Sequence, residues 1–231
     1  MYGVDVWHAY ELSWLDAQGK PVARVGRFEI PATSPGMVES KSFKLYLNSL
    51  NSTRFDAEQD AVDVITRDIS SVVGAPVTLQ VFAVDDLRLA GVQLAGECID
   101  ALLMPDAPSA QPSASLLRLH GQSEVADEQL YSHLLRSLCP VTGQPDWASV
   151  WIHYGGATID RQSLLHYLVS YRQHQEFHEQ CVERMFDHIQ SACNPRFLSV
   201  QACYTRRGGL DINPFRSSDP LARPLPRLNR Q

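Results

Sequence analysis

Apolar and polar positions alternate with period two from Val4 to Trp14, where Val4, Val6, His8, Tyr10, Leu12 and Trp14 share one parity. A second such run goes from Val22 to Ile30, and Gln18-Gly19-Lys20-Pro21 between them has turn composition. Together they predict an antiparallel hairpin. Beyond Pro31–Gly36 the period becomes helical. Phe43, Leu47 and Leu50 predict a helix from about Val38 to Leu50. Ala61, Val62, Ile65, Ile69, Val72 and Val73 predict a longer one from Ala57 to Val73, closed by Gly74 and Pro76. Val77 to Val84 and Val92 to Ile99 then read as two strands facing each other across Asp85-Asp86-Leu87.

Residues 105–115, PDAPSAQPSAS, set three prolines among small polar side chains, the composition of a linker. They divide a module over 1–104 from one over 116–231. In the latter, strand signals lie at Leu116–Gly121 and Ser149–Tyr154. Leu164, Leu165, Leu168 and Val169 mark a helix from Asp160 to about Arg172, and Val182, Met185, Phe186 and Ile189 one from Glu176 to Ala192. Ser199–Thr205 and Leu210–Ile212 supply two closing strands. Strand, strand, helix, helix, strand, strand thus occurs twice. The order predicts an α+β fold of antiparallel sheets with paired helices on one face, and it leaves few parallel crossovers for a doubly wound fold. No G-x-G-x-x-G is present.

Composition narrows the class. With 231 residues, 44% hydrophobic and 20% charged, the chain has enough apolar material for one large or two small cores. Its apolar runs are far shorter than the roughly 20 residues that span a bilayer, and its first residues carry no signal-peptide pattern, so a cytoplasmic protein is expected. The five cysteines, Cys98, Cys139, Cys181, Cys193 and Cys203, are widely spaced and odd in number, which predicts free thiols. After residue 205 six arginines face two aspartates, a net of +4, so the formal charge of −6 leaves −10 on the rest. Such a surface repels long nucleic acids and leaves one basic corner for a small phosphorylated ligand.

Four segments could carry chemistry. In Leu138-Cys139-Pro140-Val141-Thr142-Gly143-Gln144-Pro145-Asp146-Trp147, two prolines and a glycine hold a rigid loop bearing a thiol and a carboxyl. Cys139 is there as a nucleophile with Asp146 relaying its proton, or as a small buried hydrophobe beside a turn-capping aspartate. Gly36 to Lys44 opens a helix whose free N–H groups, with Ser40, Lys41 and Lys44, suit a phosphate, and whose Glu39 suits a polar heterocycle; the same residues also read as a solvated first turn. Phe177-His178-Glu179 at another helix start could stack on a planar ligand and read its edge. His174, His178 and Cys181, at i, i+4 and i+7, would alternatively place a zinc site on one helical face. Arg206-Arg207-Gly208-Gly209 could clamp a phosphate, or serve as a plain hairpin turn.

Taken together, ESKSFKLYLNSLNSTRF (Glu39–Phe55), SLCPVTGQPDW (Ser137–Trp147), YRQHQEFHEQCVER (Tyr171–Arg184) and YTRRGGLDINPFRS (Tyr204–Ser217) closely resemble the two-module form of NADPH-dependent 7-cyano-7-deazaguanine reductase. The resemblance implies tandem tunnelling-fold modules, a homodimer, NADPH as cofactor and a free deazaguanine base as substrate, with no nucleic-acid partner. The implied reaction reduces the nitrile to an amine in queuosine biosynthesis. It makes Cys139 the nucleophile of a covalent thioimide and Asp146 the proton donor. Val38, Glu39, Ser40, His178 and Glu179 match deazaguanine-binding positions, with Phe177 as a stacking wall. Ser40, Lys41, Arg207 and Gly208 match NADPH-contacting positions, and no metal is implied. That form usually carries a further N-terminal segment, so the chain is expected to be a shortened version. A zinc-dependent tunnelling-fold enzyme acting on a pterin or purine nucleotide, and a scaffold that binds purines without turnover, are the alternatives.

Overall fold

The computed structural model describes residues 1–104 and 111–231. It divides into two compact units. The N-terminal unit comprises Gly3–Ala90 with Arg206–Ile212; the C-terminal unit comprises Gly91–Thr205 and Asn213–Gln231 together with Met1–Tyr2. Gly91 to Met104 therefore pack with the C-terminal unit. The segment expected as a linker, 105–115, lies mostly outside the described residues.

In the N-terminal unit, β1 (Tyr2–Leu15), β2 (Pro21–Pro31) and β3 (Thr78–Phe82) form an antiparallel run in the order β3-β2-β1. The predicted hairpin is present, but its single parity is not. A bulge between Ala9 and Leu12 switches the inward face, because one extra residue inverts a period-two pattern. The core accordingly takes Trp7 and Ala9 before the bulge and Leu12 and Trp14 after it, and leaves His8 and Tyr10 on the other face. The helices α1 (Ser40–Ser49) and α2 (Glu58–Val73) complete this core. They contribute Phe43, Leu47, Ala61, Ile65, Ile69 and Val73, each large aliphatic side chain adding roughly 1.5–3 kcal/mol on full burial. Phe43 meets Trp7 and Phe28 edge-on at 5.6 and 5.0 Å. Gly74 ends α2 in the left-handed region at φ 70°.

The strand expected opposite β3 is not its partner. Beyond β3, Leu87–Leu89 form a 3-10 turn capped by Asp86. The short β4 (Glu97–Cys98) runs parallel to β5 (Leu119–Leu138) in the C-terminal unit. There the order is β8-β7-β6-β5-β4, with β6 (Pro145–Ile159), β7 (Phe197–Tyr204) and β8 (Leu210–Ser217) joined by antiparallel pairs. The helices α3 (Arg161–Val169) and α4 (His178–Cys193) supply the core with Leu164, Leu165, Leu168, Val182, Met185, Phe186 and Ile189. Asp160 caps α3 by accepting the Ser163 N–H at 2.8 Å. The helix expected to reach Arg172 stops at Val169 and passes into a 3-10 turn, Ser170–Gln173. The fold is α+β, as the order of elements predicted. No helix among the described residues is long and apolar enough to cross a membrane.

The arginine-rich end is not one basic corner. Arg216 is buried and pairs with Glu183 at 2.8 Å. Arg230 donates to the His133 carbonyl at 2.7 Å, and Arg227 to the Gln231 carbonyl at 2.7 Å. These three stitch the C-terminal unit, whereas Arg206 and Arg207 belong to the N-terminal one.

Candidate active site

The β5–β6 hairpin ends with Ser137 opposite Asp146 and Leu138 opposite Pro145. The connecting turn closes on itself: Cys139 N–H donates to the Gln144 carbonyl at 2.9 Å and Gly143 N–H to the Cys139 carbonyl at 2.8 Å. Gly143 takes φ 69°, a conformation that costs other residues about 1–2 kcal/mol. The turn is also tied to the segment before α4, since Leu138 N–H donates to the His174 carbonyl at 2.8 Å and Glu176 N–H to the Leu138 carbonyl at 3.2 Å.

Cys139 is half-buried at this turn. Burial pushes its thiol up, but hydrogen bonds from the Thr142 hydroxyl and the Thr142 and Val141 N–H groups outweigh burial. They hold the thiol below its ordinary value, while the Asp146 carboxylate opposes them. Donors directed at sulfur stabilise the thiolate. Two other thiols behave oppositely: burial pushes Cys181 up to about 12 and Cys193 up to about 11.

Asp146 is 3% exposed and lies 3.2 Å from Nε2 of His178. The His178 imidazole stacks on the Tyr204 ring, with centroids 3.7 Å apart and planes 10° from parallel. Its Nδ1 is buried with no hydrogen-bond partner among the described residues, and an orphaned buried nitrogen in a cluster of polar groups is suited to a ligand. Glu179 is buried in the first turn of α4, where the helix dipole favours a carboxylate. Phe177 precedes the helix in an extended conformation and is half-buried. The structure thus brings Cys139, Asp146 and His178 together in the C-terminal unit, with Phe177 and Glu179 flanking His178 in sequence.

The zinc reading does not survive this geometry. It needs His174, His178 and Cys181 on one helical face, yet α4 begins only at His178 and His174 sits in extended backbone before it. His174 instead contacts Glu176 at 2.9 Å, and Glu176 also holds Arg184 at 2.5 Å. Among the described residues there is no group of three or more His, Cys, Asp or Glu placed to hold a metal.

The remaining expected residues, Val38, Glu39, Ser40, Lys41, Arg207 and Gly208, belong to the N-terminal unit. Val38 buries its side chain in that unit's core. The start of α1 is not open to an anion as expected, because Glu39 caps its own helix: its carboxylate accepts from Lys41 N–H at 2.8 Å and Ser42 N–H at 2.7 Å. Those bonds outweigh burial and keep its carboxyl below the usual range. At the Arg206–Leu210 turn, Gly208 takes φ 57°, and a Cβ there would lie 3.2 Å from Lys44 Nζ. Arg206 lies over the Tyr10 ring at 3.9 Å. Tyr10 in turn donates to Asp211 at 2.5 Å, and the other Asp211 oxygen meets His8 Nδ1 at 2.8 Å. Beside the turn is a cavity of about 310 Å³ lined by Glu11, Lys44, Asn48, Asn51, Gly208 and Gly209, among others.

Comparison with known proteins gives the family. Residues 1–81 match the model described as nitrile reductase, 7-cyano-7-deazaguanine-reductase N-term, and residues 145–222 the model of the QueF-like protein. Over 230 residues the chain is 50% identical to the NADPH-dependent 7-cyano-7-deazaguanine reductase of Chromohalobacter salexigens, covering 99% of this chain and 82% of that one. The chain belongs to the 7-cyano-7-deazaguanine reductase family. A second family member, the enzyme of the same name from Acinetobacter baumannii strain AYE, is 52% identical over 99% of this chain and 84% of its own length. Likeness to a solved structure, the archaeosine synthase QueF-Like in the apo form, is slight, at a TM-score of 0.39 and 20% identity over 42% of this chain and 96% of that one. Thr142, which donates to the Cys139 thiol, and Tyr204, which stacks on His178, adjoin the candidate residues and were passed over by pattern reasoning. Both lie inside the quoted motifs, but a loop hydroxyl and a strand tyrosine carry no periodic mark of a role.

Proposed function

We propose that this chain reduces the nitrile of 7-cyano-7-deazaguanine to the primary amine, at the expense of two NADPH, through a thioimide on Cys139. The observation that carries this reading is a half-buried thiol held below its ordinary value on a rigid turn, acting electrostatically with a buried carboxyl. A nitrile is a weak electrophile, so attack needs a thiolate and simultaneous protonation of nitrogen. The Asp146 charge opposes ionisation of the Cys139 thiol, so a neutral Asp146 favours the thiolate. The reactive state has a proton on Asp146 and the negative charge on sulfur. The sulfur then bonds to the nitrile carbon, one C–N π pair moves to nitrogen, and nitrogen takes the Asp146 proton. The thioimide is S–C(=NH), Asp146 is left as carboxylate, and no atom is lost.

The donor set fits a polyanionic cofactor: Lys44, Arg206, Arg207 and the bare backbone of Gly208 are gathered at one turn, where a side chain on 208 would crowd Lys44. By the family resemblance Ser40, Lys41, Arg207 and Gly208 would hold it, Ser40 and Lys41 through their side chains, since Glu39 takes the Lys41 and Ser42 N–H groups. NADPH, when bound, supplies the hydride for each of the two reductions. Departing sulfur is received as thiolate by the donors of Val141 and Thr142. By the family resemblance Phe177, His178 and Glu179 of the C-terminal unit bind the deazaguanine, and Val38, Glu39 and Ser40 of the N-terminal unit are the other positions that match deazaguanine-binding ones. We further infer tandem tunnelling-fold modules, since each unit combines an antiparallel run of strands with two helices. A homodimer in the cytoplasm, with no nucleic-acid partner, completes the reading. Following absorbance of the reduced cofactor with the cyano base as limiting reagent tests it: two NADPH disappear per amine formed. No oxidation, or oxidation without amine, would overturn it.

A further inference from the structure

We propose that Tyr204 is a positioning residue for this reaction, its ring fixing the imidazole plane of His178 and, through it, the Asp146 carboxyl. The inference rests on the thioimide reading above. One contact, Nε2 to Asp146 at 3.2 Å, fixes the reach of the His178 ring but not its plane, since the last torsion of histidine is broad. The opposite nitrogen makes no bond to the described residues, so nothing there prevents rotation. The Tyr204 ring does, because it lies flat against the imidazole at 3.7 Å and 10°.

Tyr204 is itself immobile. It is the last residue of β7, pairs with Ala148 on β6, and accepts at its carbonyl from Gln231 Nε2 at 3.1 Å. It is 1% exposed, and burial holds its phenol well above the ordinary value, so it stays neutral. Its buried hydroxyl lies near Ser137 and Cys181. Ser137 is the cross-strand neighbour of Asp146. One tyrosine thus braces both the imidazole that holds Asp146 Oδ2 and the strand position opposite Asp146. A face-to-face arrangement is not the geometry aromatic rings choose unaided; the strand that carries Tyr204 and the helix start that carries His178 hold it. Loss of the flat face would let the imidazole turn and release Oδ2, misplacing the proton that the nitrile nitrogen must receive.

The test measures thioimide formation by rapid quench and intact mass, with 7-cyano-7-deazaguanine and no NADPH, in the unsubstituted protein, Tyr204→Phe and Tyr204→Met. Phenylalanine keeps the flat face, and its rate is expected within about threefold of the unsubstituted protein. Methionine fills the volume without a plane, and its rate is expected to fall about 10- to 100-fold, the scale of a misplaced catalytic group. Alkylation of Cys139 by iodoacetamide should change by less than about threefold in all three, because the Thr142 and Val141 donors that outweigh Asp146 at the sulfur are untouched, whereas damage to the Cys139 turn would change it more. Equal adduct rates in all three overturn the role of Tyr204 alone, as does Phe being as slow as Met. No adduct in the unsubstituted protein overturns the thioimide reading and this role with it. Should Tyr204→Met fail to fold cooperatively, NMR of the unsubstituted protein decides: stacking places the His178 ring protons upfield of those of an exposed histidine, and their absence from that region overturns the proposal.

Discussion

A thiol at its usual value near 8.5 is only a few per cent ionised at neutral pH, so small local changes decide whether Cys139 is a nucleophile. Here the change comes from short-range donors rather than a nearby cation, with Thr142 supplying a hydroxyl and an N–H. Thr142→Val keeps the shape and removes the hydroxyl. The thiol should then titrate at higher pH, and since a lowered value is what preserves thiolate at neutral pH, alkylation at pH 7 should fall severalfold. The pH profile of iodoacetamide alkylation checks this: an unmoved midpoint would assign the shift to the backbone alone. That Cys139 lies on a fixed turn was legible in Pro140, Gly143 and Pro145. The part played by Thr142 was not, because hydrogen bonds to sulfur depend on how the turn closes. His178 was legible as a candidate pocket residue, while its stacking partner Tyr204 was legible only as a strand residue, since stacking across 26 positions has no linear signature.

The elements divide in the same way. α2 was clear because Ala61, Ile65, Ile69 and Val73 keep strict helical spacing up to a left-handed glycine. β5 was seen only at its start, because none of Gly121 to Gln129 is buried and they show no alternation for periodicity to find. The bulge in β1 was likewise invisible, since Tyr10 and Glu11 look like a continuing alternation. Two glycines separate stability from chemistry. At Gly143 an added Cβ meets nothing closer than 3.9 Å, so Gly143→Ala carries only the backbone cost of about 1–2 kcal/mol, lowering Tm by about 2–4 °C per kcal/mol and slowing thioimide formation. At Gly74, φ is 70° and the added carbon would meet Pro35 Cγ at 2.8 Å. Gly74→Ala should cost more stability while leaving the adduct rate intact below its Tm. Calorimetry beside rapid-quench mass spectrometry reads both; a slower adduct in Gly74→Ala than in Gly143→Ala would contradict this division of roles.

For the whole molecule, the balance of −6 says less than where the charges are. Arg216 and Arg230, which composition counted toward a ligand-binding corner, are tied to Glu183 and to the His133 carbonyl. Arg206, over the Tyr10 ring, and Arg207 lie instead at a glycine turn beside Lys44, where we place the phosphorylated cofactor. The central claim is covalent capture of the nitrile by Cys139, and intact mass in the absence of NADPH tests it most directly. The account predicts a gain equal to the full mass of the cyano base, since S–H adds across C≡N with no leaving group. That gain should map to the peptide bearing Cys139 and be absent in Cys139→Ala. No gain, or one carried by another cysteine, would contradict it.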